Sequence, residues 1–317
     1  MYLSRWLGAF AKAGAMISWL TVQNEPLAPS PWEACYYDSS LQVDFIGDHL
    51  GPALAAGAAT GRHPPITLLA FDDQKNNIVE WADAMLTPSS KASQYTGGLA
   101  YHWYAGDHFD QLAKAKADHS DKIFLGTEAT YELTRLNSDM SDAEWMKHGV
   151  WERGEGYGHA ILNDLNAGSS GWIDWNIILD STGGPNHLGN TCDAPMVTSE
   201  SFDEVYLHPQ YWYLGHFAKF VPPGSKVVRI DRVAANGDPN GYGNADGVGV
   251  YNFSAAVAYG MCPPGPPRAT ALKTPDGLVV VVLNCGDAEA VVRIVNGASG
   301  EAVQRAIPAH AIQTYKF

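Results

Sequence analysis

The sequence predicts an α/β fold over its amino-terminal part, followed by an antiparallel β-sandwich. Three observations carry this. From residue 1 to about residue 180, short apolar runs alternate with longer stretches of helical periodicity. The runs are nearly unbroken, as strands buried on both faces require. After Pro222-Pro223-Gly224 the texture changes to short β-rich segments separated by turn residues.

Taken in order, the chain opens with Leu3, Trp6-Leu7 and Phe10 on one helical face. Arg5, the apolar residues after it and Ala13-Gly14-Ala15 have the outline of a secretory leader. Lys12 interrupts the run, so an amphipathic helix is expected and no convincing signal peptide. Strands are expected at Ile17–Val22, Ile66–Phe71, Leu99–Tyr104, Ile123–Gly126 and Trp172–Trp175. Ser39 and Ser40 are read as the cap of a helix carrying Leu41, Phe45, Ile46, Leu50 and Leu54 and closed by Gly57. Ser141, with Glu144 three residues on, reads as a capping box for a helix running to Asn166 and Gly168. Only five strand–helix units are visible, whereas a closed barrel of this kind needs eight. Either the sheet is open, or about three units are missing from the front.

The partition is residues 1–220 for the parallel part and 221–317 for the sandwich, with a Gly-, Asn- and Pro-rich insertion at about 232–267. Within the sandwich, strands are read at Lys226–Ile230, Leu278–Leu283, Ala290–Val295 and Ile312–Tyr315. Pro275-Asp276-Gly277 and Asn296-Gly297 are the turns.

Composition narrows the function. Of 317 residues 46% are apolar, enough for a sizeable core, and no stretch is long enough to span a membrane. The 34 acidic residues against 20 basic give a net charge of -14, which a phosphate backbone would repel, so nucleic acid is excluded as a partner. Cys35, Cys192, Cys262 and Cys285 show no C-x-x-C spacing, which argues against zinc or redox chemistry and leaves their pairing open. The histidines show no metal-binding spacing, and no cofactor is expected. Asn252-Phe253-Ser254 is a glycosylation acceptor triplet.

Chemistry gathers at the carboxyl ends of the runs, where barrel sites are built. These ends read Gln23-Asn24-Glu25-Pro26, Asp72-Asp73, His102-Trp103-Tyr104, Thr127-Glu128 and Asp174-Trp175-Asn176. Two glutamates at the ends of different strands can face each other across a cleft. Glycoside hydrolysis needs such a pair: one carboxyl protonates the leaving oxygen while the other attacks the anomeric carbon, and in a retaining mechanism the two carboxyls stand about 5–5.5 Å apart. Pro26 can end its strand by withholding a donor, which holds Glu25 at the rim.

Thr21-Val22-Gln23-Asn24-Glu25-Pro26, Tyr101-His102-Trp103-Tyr104, Thr127-Glu128-Ala129 and Gly171-Trp172-Ile173-Asp174-Trp175-Asn176 resemble glycoside hydrolase family 30, in its lysosomal-type glucosylceramidase branch. Asp72-Asp73-Gln74, Gly183-Gly184-Pro185-Asn186 and Leu214-Gly215-His216-Phe217 extend the likeness in family order. The resemblance implies a (β/α)8 barrel, here lacking about its first three units, plus the sandwich. It implies Glu25 as acid/base and Glu128 as nucleophile. Asn24 would bond the sugar 2-hydroxyl, His102 and Tyr104 would orient the nucleophile, Trp175 would lie under the glucose and Asn190 would line the cleft. It further implies a glucosylceramide-like glycolipid substrate, no metal or cofactor, a lysosomal or secreted location, and contact with a membrane surface or activator protein. Two alternatives stand beside it: a relative acting on polysaccharide, and a non-catalytic glycan-binding remnant. With the first strands absent, weak or no activity is expected of this chain by itself.

Overall fold

A computed structural model describes residues 2–28, 30–133, 142–231 and 259–317. Ser141 of the expected capping box, the Asn252 triplet and most of the 232–267 insertion lie outside the described residues. The chain divides into two compact units, Met1–Thr127 with Ser169–Trp172, and Glu128–Gly168 with Ile173–Phe317.

In the first unit, helix α1 (Tyr2–Lys12) buries Ser4, Leu7 and Gly8, as an amphipathic segment must. It is followed by β1 (Trp19–Thr21), α2 (Ser39–Phe45), a π-helical turn (Ile46–Leu50), α3 (Gly51–Ala59), β2 (Thr67–Gln74), α4 (Ile78–Leu86), β3 (Thr96–His102), α5 (Phe109–Asp118) and β4 (Ile123–Glu128). The four strands form one sheet in the order β1-β2-β3-β4, with β1 on β2 and β2 on β3 parallel. Leu69, Ala100 and Leu125 are its buried centre, which explains the unbroken apolar runs of those strands.

Three readings need correction. The cap of α2 is Asp38, whose Oδ1 accepts the Leu41 N–H at 2.7 Å; Ser39 and Ser40 are already the first two residues of the helix, one and two positions too late to cap it. The helical run passes through Gly57 and ends at Ala59, with Gly61 taking the left-handed conformation instead. The fifth strand is also not formed. Trp172 makes a single parallel bridge to Gly126, and Ile173 and Trp175 are 48% and 58% exposed.

In the second unit, α6 (Asp142–His148) and α7 (Trp151–Asn166) replace the one helix expected there. Gly149, at φ 65, breaks the run. A small sheet of β5 (Ile178–Leu179), β6 (Met196–Thr198) and β7 (Val205–Leu207) precedes α8 (Pro209–Ala218). The sandwich comprises β8 (Lys226–Val228), β9 (Arg268–Thr274), β10 (Gly277–Asn284), β11 (Ala290–Val295), β12 (Ala302–Ile307) and β13 (Ala311–Lys316). One layer has the order β13-β10-β9-β8 and the other is the β11-β12 ribbon. Val292, Ile294 and Ile307 of the ribbon close on Ala271, Val280 and Val282 of the larger sheet. The opposite face of β10 is buried too: Leu283 lies beneath α7 at Gly158, so Val279–Leu283 is apolar without alternation. Cys262 pairs with Cys285, deciding what the spacing left open.

Candidate functional site

The first unit assembles a polar network at the carboxyl ends of its strands. Glu25 follows β1 with φ 44, a left-handed conformation that costs a residue with a side chain about 1–3 kcal/mol. Its N–H donates to the Asp72 carbonyl at 2.9 Å, which ties the turn to β2. Asp72 is itself left-handed at φ 67, and the β2–β3 register shifts between Phe71 and Asp73. Asp72 is therefore a bulge residue, re-aimed out of the regular alternation. Asp72 and Asp73 consequently do different work. Asp73 is a loop anchor: its Oδ2 accepts the Leu27 N–H at 2.8 Å and its Oδ1 the Gln74 N–H at 2.7 Å.

The ring of His102, at the end of β3, is 1% exposed and lies between two carboxyls. Its Nδ1 is 3.0 Å from Glu25 Oε1 and its Nε2 is 3.2 Å from Asp72 Oδ1. Gln74 Nε2 donates to the same Glu25 Oε1 at 2.8 Å, and the Thr127 hydroxyl donates to Asp72 Oδ1 at 2.7 Å. Burial pushes the Asp72 carboxyl up, but His102 and the hydroxyls of Thr21 and Thr127 outweigh it, leaving Asp72 below the usual aspartate range. Asp73 lies above that range, because burial and the charge of Glu25 exceed the pull of the Leu27 and Gln74 amides. Glu128 closes β4, one residue beyond Thr127.

Of the residues singled out from sequence, Glu25 and His102 are joined directly. The Tyr104 ring stands edge-on to His102, with centroids 6.2 Å apart. Asn24 is exposed beside Glu25. Trp175 and Asn190 belong to the second unit. The Trp175 N–H donates to the Ala129 carbonyl at 3.0 Å, and the Asn190 carbonyl accepts from Asn186 Nδ2 at 2.8 Å. Sequence reasoning quoted Gln74 and Thr127 in its motifs and gave neither a role. The signal for the first was the polar triplet Asp72-Asp73-Gln74, which continues a strand instead of leaving it.

The second unit carries its own buried network. Asp193 accepts from Arg153 Nη1 and Gln210 Nε2, each at 2.7 Å, and its other oxygen meets His208 Nδ1 at 2.7 Å. Burial opposes ionisation of Asp193, but His208 and Arg153 overcome it and hold the group below the usual range. Asp174 goes the other way. Burial pushes it up to about 7, although the Tyr157 hydroxyl donates to it at 2.7 Å. Cys192 is buried, and burial with the charge of Glu132 pushes its thiol up to about 11, so it is an inert side chain at neutral pH.

The glycosyl hydrolase family 30 TIM-barrel domain matches residues 1–221, and the family 30 β-sandwich domain matches residues 268–315. The chain belongs to glycosyl hydrolase family 30. Among family 30 relatives it is 34% identical to the lysosomal acid glucosylceramidase of Mus musculus over 235 residues, 72% of this chain and 44% of that protein. It is 22% identical to endo-1,6-β-D-glucanase neg1 of Aspergillus fumigatus over 319 residues, 99% of this chain and 54% of that one. The solved structure of SrfJ from Salmonella typhimurium superposes with a TM-score of 0.77 at 26% identity, covering 98% of this chain and 60% of that chain. The chain thus spans about half the length of the curated relatives it matches.

Proposed function

We propose that this family 30 chain carries the catalytic pair of a retaining β-glucosidase acting on a glucosylceramide-like glycolipid. Glu25 is the general acid/base and Glu128 the nucleophile. The observation that carries the reading is Glu25 itself: a strained, largely buried carboxyl whose Oε1 is gripped by Gln74 and faces His102. Strain of this kind persists where surrounding contacts over-determine a functional geometry. In the first step Glu25 gives its proton to the glycosidic oxygen while Glu128 bonds to the anomeric carbon. Water then takes the place of Glu128, returning a proton to Glu25. Asn24 bonds the sugar 2-hydroxyl, Tyr104 sits beside the reacting centre, Trp175 stacks under the glucose and Asn190 lines the cleft. The mouse relative's name supports the glycolipid substrate. Such a substrate brings the protein to a membrane surface or an activator protein. The Cys262–Cys285 disulfide supports an oxidising, lysosomal or secreted location.

The test is turnover of a fluorogenic β-glucoside and of glucosylceramide by the wild type and Glu128→Gln, with the anomer of the first-formed glucose read by NMR. Loss of turnover in the variant and a β-anomer are expected; unchanged turnover removes Glu128 from the role. The match of the fungal endo-1,6-β-D-glucanase across nearly the whole chain favours a polysaccharide as the second reading. Preference for β-1,6-glucan over the glycolipid establishes it. Calorimetric binding of a glucose-configured iminosugar without hydrolysis identifies a glycan-binding remnant instead.

A further inference from the structure

We propose that Asp72, acting through His102, is a positioning residue that steers the transferable proton of Glu25 onto Oε2. The proposal rests on the reading of Glu25 as acid/base and adds the device that orients it.

The geometry is a chain of three groups. Asp72 Oδ1 receives the Thr127 hydroxyl and faces His102 Nε2, while His102 Nδ1 faces Glu25 Oε1. Asp72 is held below the usual aspartate range, so at neutral pH it is a carboxylate and only accepts. Nε2 must then carry a hydrogen. The state of Nδ1 remains. A neutral ring presents a lone pair there, and Glu25 must put its proton on Oε1 to meet it. A charged ring presents an N–H that donates to Oε1.

Gln74 favours the charged ring. Its amide N–H already donates to Oε1 at 2.8 Å. With the ring charged, two N–H donors converge on Oε1, and the proton of Glu25 is left to Oε2. The Asp72 carboxylate stabilises the charged ring from the far side. Asp73 adds a further negative charge acting on both Glu25 and His102, and the uncharged Tyr104 ring approaches His102 edge-on. The backbone supports the arrangement. The left-handed turns at Glu25 and Asp72 are joined by the Glu25 N–H to Asp72 carbonyl bond, so the ends of the relay are fixed to each other as well as to the imidazole.

In the acid step the proton leaves Oε2 for the departing oxygen, which keeps the electron pair of the broken C–O bond. The new Glu25 carboxylate then has both donors waiting at Oε1. In the return step water delivers a proton to Oε2 as its oxygen bonds to the anomeric carbon and the bond to the nucleophile breaks.

The experiment is nitrogen NMR of the full chain with ring-labelled histidine, His102 being assigned by its loss in His102→Gln. In the wild type both ring nitrogens are expected to be protonated at about pH 6, and in Asp72→Asn the ring gives up its proton at least about one pH unit lower. A neutral wild-type ring with hydrogen on Nε2 alone, or an unchanged titration in Asp72→Asn, overturns the proposal. Thr127→Val, which removes one donor from Asp72 and keeps its charge, shifts the ring in the opposite sense. A chain that turns nothing over is still decided by this comparison. With turnover, Asp72→Asn is expected to lower kcat roughly tenfold more on an alkyl β-glucoside than on a dinitrophenyl β-glucoside, with KM little changed. Equal losses on the two substrates sink the positioning role. Indifference of Glu25→Gln to the leaving group sinks the acid/base reading instead, leaving the NMR result standing.

Discussion

Glu25 pairs a costly backbone conformation with a side chain held on one oxygen, and the two belong together. A carboxyl that must meet a substrate oxygen in one geometry benefits from having its alternatives removed beforehand. Glu25→Gln preserves the shape and removes the proposed acid. It is expected to cost about 10²- to 10⁴-fold in kcat on substrates with unactivated leaving groups, measured by steady-state kinetics. Asp193 in the second unit holds a different kind of network, with both oxygens committed to Arg153, Gln210 and His208. Asp193→Asn leaves the Arg153 guanidinium without its counter-charge inside the protein. A loss of about 3–5 kcal/mol is expected, read as a lower urea midpoint at unchanged slope. At this scale the sequence was partly legible. Glu25 and Glu128 were singled out together, because two acids at the ends of different apolar runs fit the paired carboxyls that glycoside hydrolysis needs. Gln74 was not, because a glutamine at a strand end carries no chemical signature until its neighbour in space is known.

Between elements, close approach matters more than composition. On β3, a Cβ at Gly98 would land on the Ile123 carbonyl of β4, and a backbone carbonyl cannot swing aside as a side chain can. Gly98→Ala is expected to cost about 3 kcal/mol, the upper end for overpacking, and to lower the thermal midpoint in a melt. In the sandwich, Cys262–Cys285 closes a loop with a sequence separation of 23 over the β9–β10 hairpin. Replacing both cysteines by alanine is expected to cost about 3 kcal/mol, checked by denaturation with and without reductant. Strands β2, β3, β4 and β10 were readable because burial on both faces makes them continuously apolar. Strands β9 and β12 were not. β9 buries the polar Arg268, Thr270 and Thr274 alongside Ala271 and Leu272, and β12 exposes Ala302 and Gln304 to Ala306 and buries only Ile307. The run at Trp172–Trp175 misled for the opposite reason. Its residues are strand-like, but the Trp175 N–H goes to Ala129 and the Asp174 carboxyl to Tyr157, so the ladder stops after one bridge.

Across the whole molecule, the shifted carboxyls set opposing pH dependences. Asp72 and Asp193 are held below the ordinary aspartate range, so their contribution is present above that range and lost as pH falls through their folded values. Asp174 is raised to about 7, so its contribution is present below the ordinary aspartate value and lost as pH rises through about 7. The thermal midpoint is therefore expected to peak on the acid side of neutrality. Asp174→Asn keeps an oxygen for Tyr157 and removes the charge. It should raise the midpoint at about pH 8 and leave it nearly unchanged at about pH 4. A lower midpoint at the alkaline point would refute the assignment. Among the described residues no helix is long and apolar enough to cross a membrane, in keeping with the absence of such a run from the sequence. What the sequence determined by itself was the class of fold and the order of its principal strands. Periodicity reports which faces are buried, and strand ends report where a barrel keeps its chemistry. Tertiary structure alone decided the cap at Asp38, the break at Gly149, the pairing of Cys262 with Cys285 and the seating of His102 between Glu25 and Asp72. Each of those depends on backbone geometry, or on which distant side chain arrives at a given point, and a one-dimensional pattern of polarity carries no record of either.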